Sequence, residues 1–547
     1  MAGKKCFCVC TVVLLVIIST LISVLTIHLQ KLKTETFKHA AVAADSETCS
    51  GVGRDMLLAN GSAVDAAIAA LLCTSVINPQ SMGLGGGAIF TIKDKNGIVK
   101  IISSRETVPQ MFKADLLSKC PCSEAGTQWM GVPGEIRGYE RVHHLYGRLP
   151  WAKLFEPTIR LAREGVKISN IVARYLPKIR RHTIRELFED KDGNLLKEGD
   201  TVKFEKLAQT LERISKNGAD EFYTGDTGRK LICDVQEAGG SLTLEDLRSA
   251  EVTEMEPWTV SLGDYTMYFP PPPAGGALVS FILNVMKGYN PNQDSIKGKE
   301  RILTYHRFIE ASKFANAKRK LMRDPRFDSG KKTVQEAFAI TQEEFADRIK
   351  KIIDYSTNEV YNATEDKDTG GTSHVSILDE EGMAVSVTSS INYLFGSQVY
   401  SPKTGIILNN HLLDFCEKTD RIQTGERPPS SMAPMILFSN SKNHTVVIGG
   451  AGGSKITTGV TLTLMNHLWF GKSLKDSISA PVVHLYPDNT LFFEPDFNKD
   501  VMEALRIGRS TVKDPELFIS VVNALSQKDG VIEAYSDARK LGKAVGY

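Results

Sequence analysis

The chain has 547 residues, of which 42% are hydrophobic and 24% are charged, an ordinary composition for a globular protein. Its 66 Lys and Arg residues stand against 64 Asp and Glu residues, so the formal net charge is +2. This balance gives no indication of nucleic-acid binding, for which a strong basic excess is typical, and the length suffices for a large buried core.

The first predicted element is a membrane-spanning helix. Residues 6–27 are uncharged and rich in Val, Leu and Ile, and this stretch is long enough to cross the hydrocarbon core of a bilayer. Lys4 and Lys5 favour a cytoplasmic tail of residues 1–5 and an uncleaved signal anchor. A cleaved signal peptide is the alternative, although its apolar core is typically shorter and no good Ala-x-Ala site follows. We expect a single-pass type II protein of the cell membrane, with residues 28–547 extracellular.

Three Asn-x-Ser/Thr sequons agree with an extracellular body that carries N-linked glycans. Their asparagines are Asn60, Asn362 and Asn443. A chain of this length contains some sequons by chance, so their weight lies in their agreement with the apolar segment.

Six cysteines follow the apolar segment, and an extracellular compartment allows disulfides. Cys49 and Cys73 flank one predicted helical segment and are predicted to pair, closing a loop worth roughly 3 kcal/mol in the chain-entropy model. The other four are Cys120, Cys122, Cys233 and Cys416. The first two of these are too close in sequence to pair with each other comfortably, and the pairing of the four stays open. No cysteine pair stands at zinc spacing from a histidine, so no metal site is expected.

The body of the chain begins with a strand, a helix and a glycine run. Residues 39–44 predict a strand, and residues 62–73 predict a helix that is apolar nearly all round and therefore buried, with Ser62 as its N-cap. The glycine-rich residues 81–87 precede a strand at 88–92. This order differs from that of a nucleotide-binding loop and indicates close backbone packing beside a pocket.

The stretch from residue 151 to about 324 is mostly helical in pattern. Predicted helices within or overlapping it lie at 153–164, 204–216, 276–287 and 304–323. A strand at 265–269 runs into the proline-rich residues 270–276, which cannot continue a ladder and are predicted to form a rigid surface turn.

A polar linker at 355–368 marks the sharpest boundary in the chain, of the kind that tolerates a cut. A β-hairpin follows, with alternating strands at 372–378 and 384–390 joined by a turn. A strand at 446–448 then leads into a glycine-rich turn. A helix at 456–469 follows, and such a turn presents backbone N–H groups to an anion.

Thr372, at the start of the hairpin, is the candidate nucleophile. If the chain breaks between Gly371 and Thr372, the new first residue carries both a hydroxyl and a free α-amine. A threonine activated by its own amine needs no histidine as base, and an α-amino pKa of about 7.7–8.0 suits a general base. By itself, Gly-Gly-Thr is more often a loop that enters a strand, so the wider set of motifs decides between the two.

Several motifs occur together and in a consistent order. They are Asp-Thr-Gly-Gly-Thr at 368–372, Pro-Ser-Ser-Met at 429–432 and Gly-Gly-Ala-Gly-Gly at 449–453, with upstream blocks at 41–44, 61–67, 81–87 and 131–138. From residue 39 to 547 the chain resembles the γ-glutamyltransferases. The blocks at 73–80 and 270–277 resemble in particular the fifth vertebrate paralogue, the leukotriene C4 hydrolase branch.

The resemblance implies an N-terminal nucleophile hydrolase with an αββα sandwich of the α+β class. It implies cleavage before Thr372 into a large chain, 28–371, and a small catalytic chain, 372–547, which remain together as a heterodimer with one core. The implied activity is cleavage of the γ-glutamyl amide of glutathione, its S-conjugates and leukotriene C4 through a γ-glutamyl ester on Thr372. Hydrolysis or transfer to an amino acid or dipeptide follows, and no cofactor is required.

The resemblance also assigns the remaining site residues. For catalysis, Gly452 and Gly453 are implied to offer backbone N–H groups to the oxyanion, and Ser390 stands where mammalian members carry a supporting Thr. For the substrate α-carboxylate, the implied ligands are Arg105, Ser430 and Ser431. For the α-ammonium group, they are Asn392, His411 and Asp414.

His411 departs from the family, which usually carries Glu at this position. A neutral His offers one acceptor nitrogen to the substrate ammonium, whereas a protonated His offers none and repels it. The sequence therefore predicts a loss of activity below about pH 6.5 that is steeper than in a relative with Glu. The same substitution leaves open a weakened enzyme or a shift towards larger conjugates.

Two other interpretations remain. One is a weakly active or inactive surface glycoprotein that uses the same scaffold for binding. The other is hydrolysis of a non-glutamyl acyl group, as in the β-lactam acylases of the same fold. Arg105, Asn392 and Asp414 favour a substrate with an α-amino acid head group over the second interpretation.

Overall fold

A computed structural model describes residues 36–120, 126–328, 330–355, 371–486, 490–506, 512–513 and 520–547. The predicted tail and membrane-spanning helix, residues 1–5 and 6–27, lie outside these ranges, as do Cys122 and Asn362. Within the described ranges, none of the helices combines the length and the hydropathy that a membrane crossing requires.

Two seven-stranded sheets form the centre of the molecule. The strands of the described residues are β1 Thr36–Phe37, β2 Ala41–Ala44, β3 Gly87–Lys93, β4 Val99–Ser103, β5 Val166–Lys167, β6 Thr201–Val202, β7 Thr253–Met255, β8 Trp258–Leu262, β9 Tyr265–Phe269, β10 Gly371–Leu378, β11 Ala384–Asn392, β12 Met435–Ser439, β13 His444–Ala451, β14 Val483–Leu485, β15 Leu491–Phe493, β16 Val512–Lys513, β17 Val521–Lys528, β18 Val531–Ser536 and β19 Lys543–Gly546. The first sheet has the order β19-β2-β10-β11-β3-β4-β7, and the second has the order β1-β18-β17-β13-β12-β9-β8. All pairs within them are antiparallel.

Side-chain alternation along the central strands builds the layers. Val375 and Ile377 of β10 pack against helices on one side of their sheet, whereas Leu378 faces the second sheet. On β13, Val446 contributes to the core on the far side of the second sheet, and Val447 lies between the sheets. Successive strand residues point to opposite faces, so three apolar layers result, and the predicted αββα arrangement is confirmed.

Most of the helices cover the outer faces of the sheets. Their bounds are α1 Glu47–Leu58, α2 Ala63–Ile77, α3 Glu135–Tyr146, α4 Trp151–Glu164, α5 Asn170–Tyr175, α6 His182–Arg185, α7 Glu205–Asn217, α8 Asp220–Tyr223, α9 Asp226–Glu237, α10 Leu244–Arg248, α11 Gly276–Lys287, α12 Gly298–Ala317, α13 Lys332–Ala339, α14 Glu343–Tyr355, α15 Lys455–Leu468, α16 Leu474–Ser479 and α17 Lys499–Arg506. Helix α2 begins after Ser62, whose hydroxyl accepts from the Asp65 N–H in a capping box. The predicted Cys49–Cys73 disulfide joins α1 to α2.

Two local predictions were wrong. Residues 270–276 do not form a surface turn, because every one of them is buried. They pack instead against residues 430–432, where Ser430 N–H donates to Pro273 O at 2.7 Å and Gly275 N–H donates to Met432 O at 2.9 Å. The predicted glycine turn after residue 448 is also shorter, since β13 continues to Ala451.

The structure pairs two of the cysteines that the sequence left open. Cys120 and Cys416 form a disulfide across 296 residues of sequence, and Cys233 is free and exposed. Asn60 and Asn443, the two sequon asparagines within the described ranges, are exposed at positive φ angles. Both are therefore accessible to glycosylation.

Candidate active site

A cleft beside the ends of β10 and β11 gathers the predicted site residues. It encloses about 350 Å³ of empty space, including the part open to solvent. Nine of the ten predicted catalytic and substrate-binding residues line it, and the tenth, Gly452, directly precedes one of them. The nine are Arg105, Thr372, Ser390, Asn392, His411, Asp414, Ser430, Ser431 and Gly453.

Thr372 and Ser390 face each other across the hairpin, where they are register partners. Thr372 Oγ1 lies 3.2 Å from Ser390 Oγ, and the Ser390 hydroxyl donates to the carbonyl oxygen of Gly371 at 2.7 Å. Asn392 N–H in turn donates to Ser390 Oγ at 2.8 Å. Ser390 is thus oriented by a backbone donor and polarises the carbonyl of the peptide bond in front of the nucleophile.

Close packing explains the glycine at the position before the nucleophile. The β10–β11 register shifts between Gly371 and Thr372. A Cβ atom on Gly371 would lie 2.2 Å from Tyr393 O and 2.5 Å from Asn392 O, so no larger residue fits without moving the backbone. The absence of a side chain at Gly371 therefore lets its carbonyl oxygen lie within reach of Ser390.

Arg105 is a buried cation two residues after the end of β4, and its exposed fraction is 1%. Its Nη2 lies 2.5 Å from Asp414 Oδ2, and its guanidinium also donates to the carbonyl oxygens of Pro428 and Pro429 at 2.8 and 3.0 Å. Asn392 Nδ2 donates to the other Asp414 oxygen at 3.1 Å. A cation, a carboxylate and an amide therefore lie side by side, which suits a zwitterionic ligand.

Gly452 and Gly453 form the turn between β13 and α15. Their φ angles of 123° and 61° belong to the region that favours glycine. A strand, a tight turn and a helix N-terminus place backbone N–H groups at the end of the helix. Gly453 lines the same cleft as Thr372, so this turn borders the cleft next to the candidate nucleophile.

Known proteins with similar sequences identify the family of this chain. The sequence profile of the family described as Gamma-glutamyltranspeptidase matches residues 49–547. The chain belongs to this family. Glutathione hydrolase 5 proenzyme of Rattus norvegicus is 43% identical to it over 569 residues, covering 98% of this chain and 99% of the relative. The predicted enzyme class of this chain and its predicted resemblance to the fifth vertebrate paralogue are thereby confirmed.

Solved structures support the same fold. Cephalosporin acylase from Bacillus halodurans superposes with a TM-score of 0.83 over 94% of this chain and 97% of its own, at 23% identity, which shows the fold alone. Helicobacter pylori gamma-glutamyltranspeptidase is 30% identical, with a TM-score of 0.52, and covers 56% of this chain and 89% of its own. This γ-glutamyltranspeptidase family member therefore has the N-terminal nucleophile hydrolase fold.

His411 and Glu106 form a buried pair behind Arg105. Glu106 Oε1 lies 2.8 Å from His411 Nδ1, but the geometry does not complete a hydrogen bond. Burial, reinforced by the Arg105 charge, lowers the pKa of His411 well below its usual 6.5. His411 therefore stays neutral at pH 6.5, and the acid threshold expected from its usual pKa is wrong.

Glu106 is the group of this pair that titrates near neutrality. Burial raises the pKa of its carboxyl from 4.5 to about 7, and the Arg105 charge only partly offsets this. Its contribution to stability is complete below pH 4.5, where folded and unfolded states are both protonated. The contribution is lost as the pH rises from 4.5 through about 7, because over this range the unfolded state ionises while the folded carboxyl keeps its proton.

Replacing Glu106 by Gln is expected to remove this pH dependence. From pH 4.5 to 8, the free energy of unfolding of Glu106→Gln should rise by about 3 kcal/mol relative to the parent, because burial raises the pKa of the parent's Glu106 carboxyl from 4.5 to about 7. Denaturant unfolding at a series of pH values measures it, with the exposed Glu245→Gln as control. A Glu106→Gln difference that stays constant across this range would contradict the assignment.

His374, in strand β10 of the hairpin, is a structural residue. His374 is fully buried, and burial lowers its pKa to about 3. Its ring nitrogens lie 2.9 and 3.0 Å from Thr388 Oγ1 and Ser376 Oγ. A neutral histidine with both nitrogens engaged packs the centre of the sheets and has no part in the cleft.

Sequence reasoning missed a buried arginine that joins two parts of the site. Arg319 follows α12 and is 4% exposed. Its Nη1 donates to Ser431 Oγ at 2.8 Å, and its Nη2 donates to Ser454 O at 3.0 Å, at the end of the glycine turn. Lys418, at the cleft, was missed as well. Neither residue lies in a motif, so only their contacts reveal them.

Proposed function

We propose that this protein is a membrane-anchored, self-processing ectoenzyme that cleaves γ-glutamyl amides. The observation that carries the proposal is the convergence in one cleft of Thr372, the Ser390–Gly371 contact and the Arg105–Asp414 pair. Its substrates are glutathione, glutathione S-conjugates and leukotriene C4. The curated relatives named glutathione hydrolase 5 support glutathione.

Maturation begins with the Thr372 hydroxyl. Its oxygen attacks the carbonyl carbon of Gly371, whose oxygen accepts the Ser390 hydrogen bond as negative charge develops on it. The C–N bond then breaks, the nitrogen takes a proton, and an ester joins Gly371 to the Thr372 oxygen. Water hydrolyses this ester, which leaves a carboxylate on Gly371 and a free α-amine on Thr372.

Turnover uses the amine that maturation creates. It accepts the hydroxyl proton as Thr372 attacks the γ-glutamyl carbonyl, and it returns that proton to the leaving amine. Gly452 and Gly453 stabilise the oxyanion, and one such donor is typically worth about 3–4 kcal/mol. Water or an acceptor amine then releases the glutamyl group from its ester.

The substrate head group is bound by complementary charges. Its α-carboxylate meets Arg105 with hydrogen bonds from Ser430 and Ser431, and its α-ammonium meets Asp414 and Asn392. Neutral His411 offers no charge to either group. The anchor at residues 6–27, N-linked glycans and an extracellular body complete the proposal and place the cleft outside the cell.

Denaturing electrophoresis with and without reductant tests the self-processing. Cys120 belongs to the large chain and Cys416 to the small chain, so their disulfide holds the two together after cleavage. We expect one species without reductant and two with it, the smaller beginning Thr-Ser-His. In Cys416→Ser, two chains should separate without reductant.

The remaining outcomes separate the alternatives. A single full-length band in reductant would contradict cleavage and favour the inactive scaffold. Two bands in the parent without reductant would contradict the covalent link but leave cleavage standing. Rates of glutamate release from glutathione and leukotriene C4, measured side by side, then test the substrates.

A further inference from the structure

One of the two edges of strand β10 is paired with a neighbouring strand along only part of its length. β11 pairs with it from Gly371 to Leu378, whereas β2 pairs with it only from Ser376 to Leu378. Residues 372–375 therefore lack a β2 partner on that side. Because buried backbone carbonyls need donors, other groups must replace the missing ladder there.

Two buried side chains supply these donors. Lys540 Nζ donates to Thr372 O at 2.6 Å and to Ser373 Oγ at 3.2 Å. Asn523 Nδ2 donates to His374 O at 2.7 Å. Lys540 is only 5% exposed, so its ammonium group is committed to these partners.

Asp45 completes the arrangement. It directly follows β2, and its two oxygens accept from Lys540 Nζ and Asn523 Nδ2, each at 2.7 Å. The three N–H bonds of the Lys540 ammonium thus meet three acceptors, on Asp45, Thr372 and Ser373. Asp45 lies in the large chain and Lys540 in the small chain, so the contact spans both products of the proposed cleavage.

We propose that Lys540, held by Asp45, is a positioning residue that fixes Thr372 after the peptide bond in front of it has been cut. This inference rests on the proposed function. In the uncut chain, peptide bonds hold Thr372 on both sides. Cleavage releases the nitrogen side, and the Lys540 contact then holds the carbonyl side, which limits rotation of the residue that carries both hydroxyl and amine.

The consequence is a separation between maturation and turnover. Lys540 does not line the cleft and acts only through Thr372. Its loss should spare the cleavage, in which Thr372 is tethered at both ends. It should impair every later step that depends on the orientation of the free terminus, while Arg105 and Asp414 continue to bind the head group.

The double variant Asp45→Asn/Lys540→Met tests this without leaving an unpaired buried charge. We expect two chains on a reducing gel, as in the parent, with kcat for γ-glutamyl hydrolysis lowered roughly 10²-fold, the effect of a small misplacement of a reacting group. KM should remain within about twofold of the parent's value, because Arg105 and Asp414, which bind the head group, are unchanged. Lys540→Arg, which keeps the charge and donors, should recover most of kcat, and the exposed Lys543→Met is the matched control.

Three results would overturn the inference. They are an unchanged kcat in the double variant, a raised KM with unchanged kcat, or a failure of the folded double variant to cleave although the parent does. Thermal melting establishes that the variants are folded. If the double variant is not, Asp45→Asn alone, which removes the carboxylate that holds Lys540, should still cleave and should show a lowered kcat. Failure of the proposed function is distinguishable, because the parent itself would then neither cleave nor release glutamate.

Discussion

Thr372→Ala is expected to remain a single polypeptide in reductant and to release no glutamate. The same hydroxyl is proposed to attack Gly371 during maturation and the substrate during turnover, so one substitution removes both reactions. Loss of the nucleophile in an acyl-transfer enzyme costs roughly 10⁶ in kcat. The measurement is a reducing gel of the purified protein together with an assay of glutamate release.

Thr372→Ser is the matched control for this variant. It keeps the hydroxyl and the potential amine, so cleavage and turnover should both persist at reduced rates. Cleavage of Thr372→Ala at the same bond would show that another group attacks Gly371. Turnover by an uncut chain would show that the free amine is not the base.

The hairpin that carries Thr372 was predictable because its signal is local. Val375 and Ile377 alternate with His374 and Ser376, and period-two alternation indicates a strand. The alternation did not reveal what lies on the serine side. Ser376 faces the second sheet and donates to Asn523 O, so both faces of the strand are buried.

The site residues were predictable from the sequence, but the residues that hold them in position were not. The family resemblance assigned Arg105, Asp414 and the glycine turn to the site. Asp45 and Lys540 meet across 495 residues, and no local pattern announces such a contact. A separation of 296 residues likewise left the pairing of Cys120 with Cys416 unassigned from the sequence.

Burial also reversed two local expectations. The proline-rich residues 270–276 predicted a surface turn from composition alone, yet they pack under Ser431. His411 predicted a titration near its usual pKa, which burial and the Arg105 charge lower. In both cases the expectation followed from the residue type alone. The tertiary structure buries these residues, and burial decides their packing and their pKa.

Arg105→Met is expected to lower kcat/KM for γ-glutamyl donors roughly a hundredfold, mainly through KM. The side chain supplies the cation proposed for the α-carboxylate, and truncating one partner of a buried charge pair costs about 2–5 kcal/mol. Arg105→Lys should be nearly as poor, because one ammonium nitrogen cannot replace both Nε, which donates to Pro428 O, and Nη2, which contacts Asp414 and Pro429. Steady-state kinetics on a γ-glutamyl anilide measures both variants.

A substrate that lacks the α-carboxylate separates a direct contact from general damage to the cleft. The γ-aminobutyryl anilide keeps the amine and the scissile amide but offers Arg105 nothing to bind. In the parent, this substrate should be much poorer than the γ-glutamyl anilide, whereas Arg105→Met should treat the two nearly alike. Such a coupling between residue and substrate group is what a direct ion pair requires. If Arg105→Met instead penalises both substrates equally, Arg105 supports the cleft through Asp414 and does not bind the carboxylate.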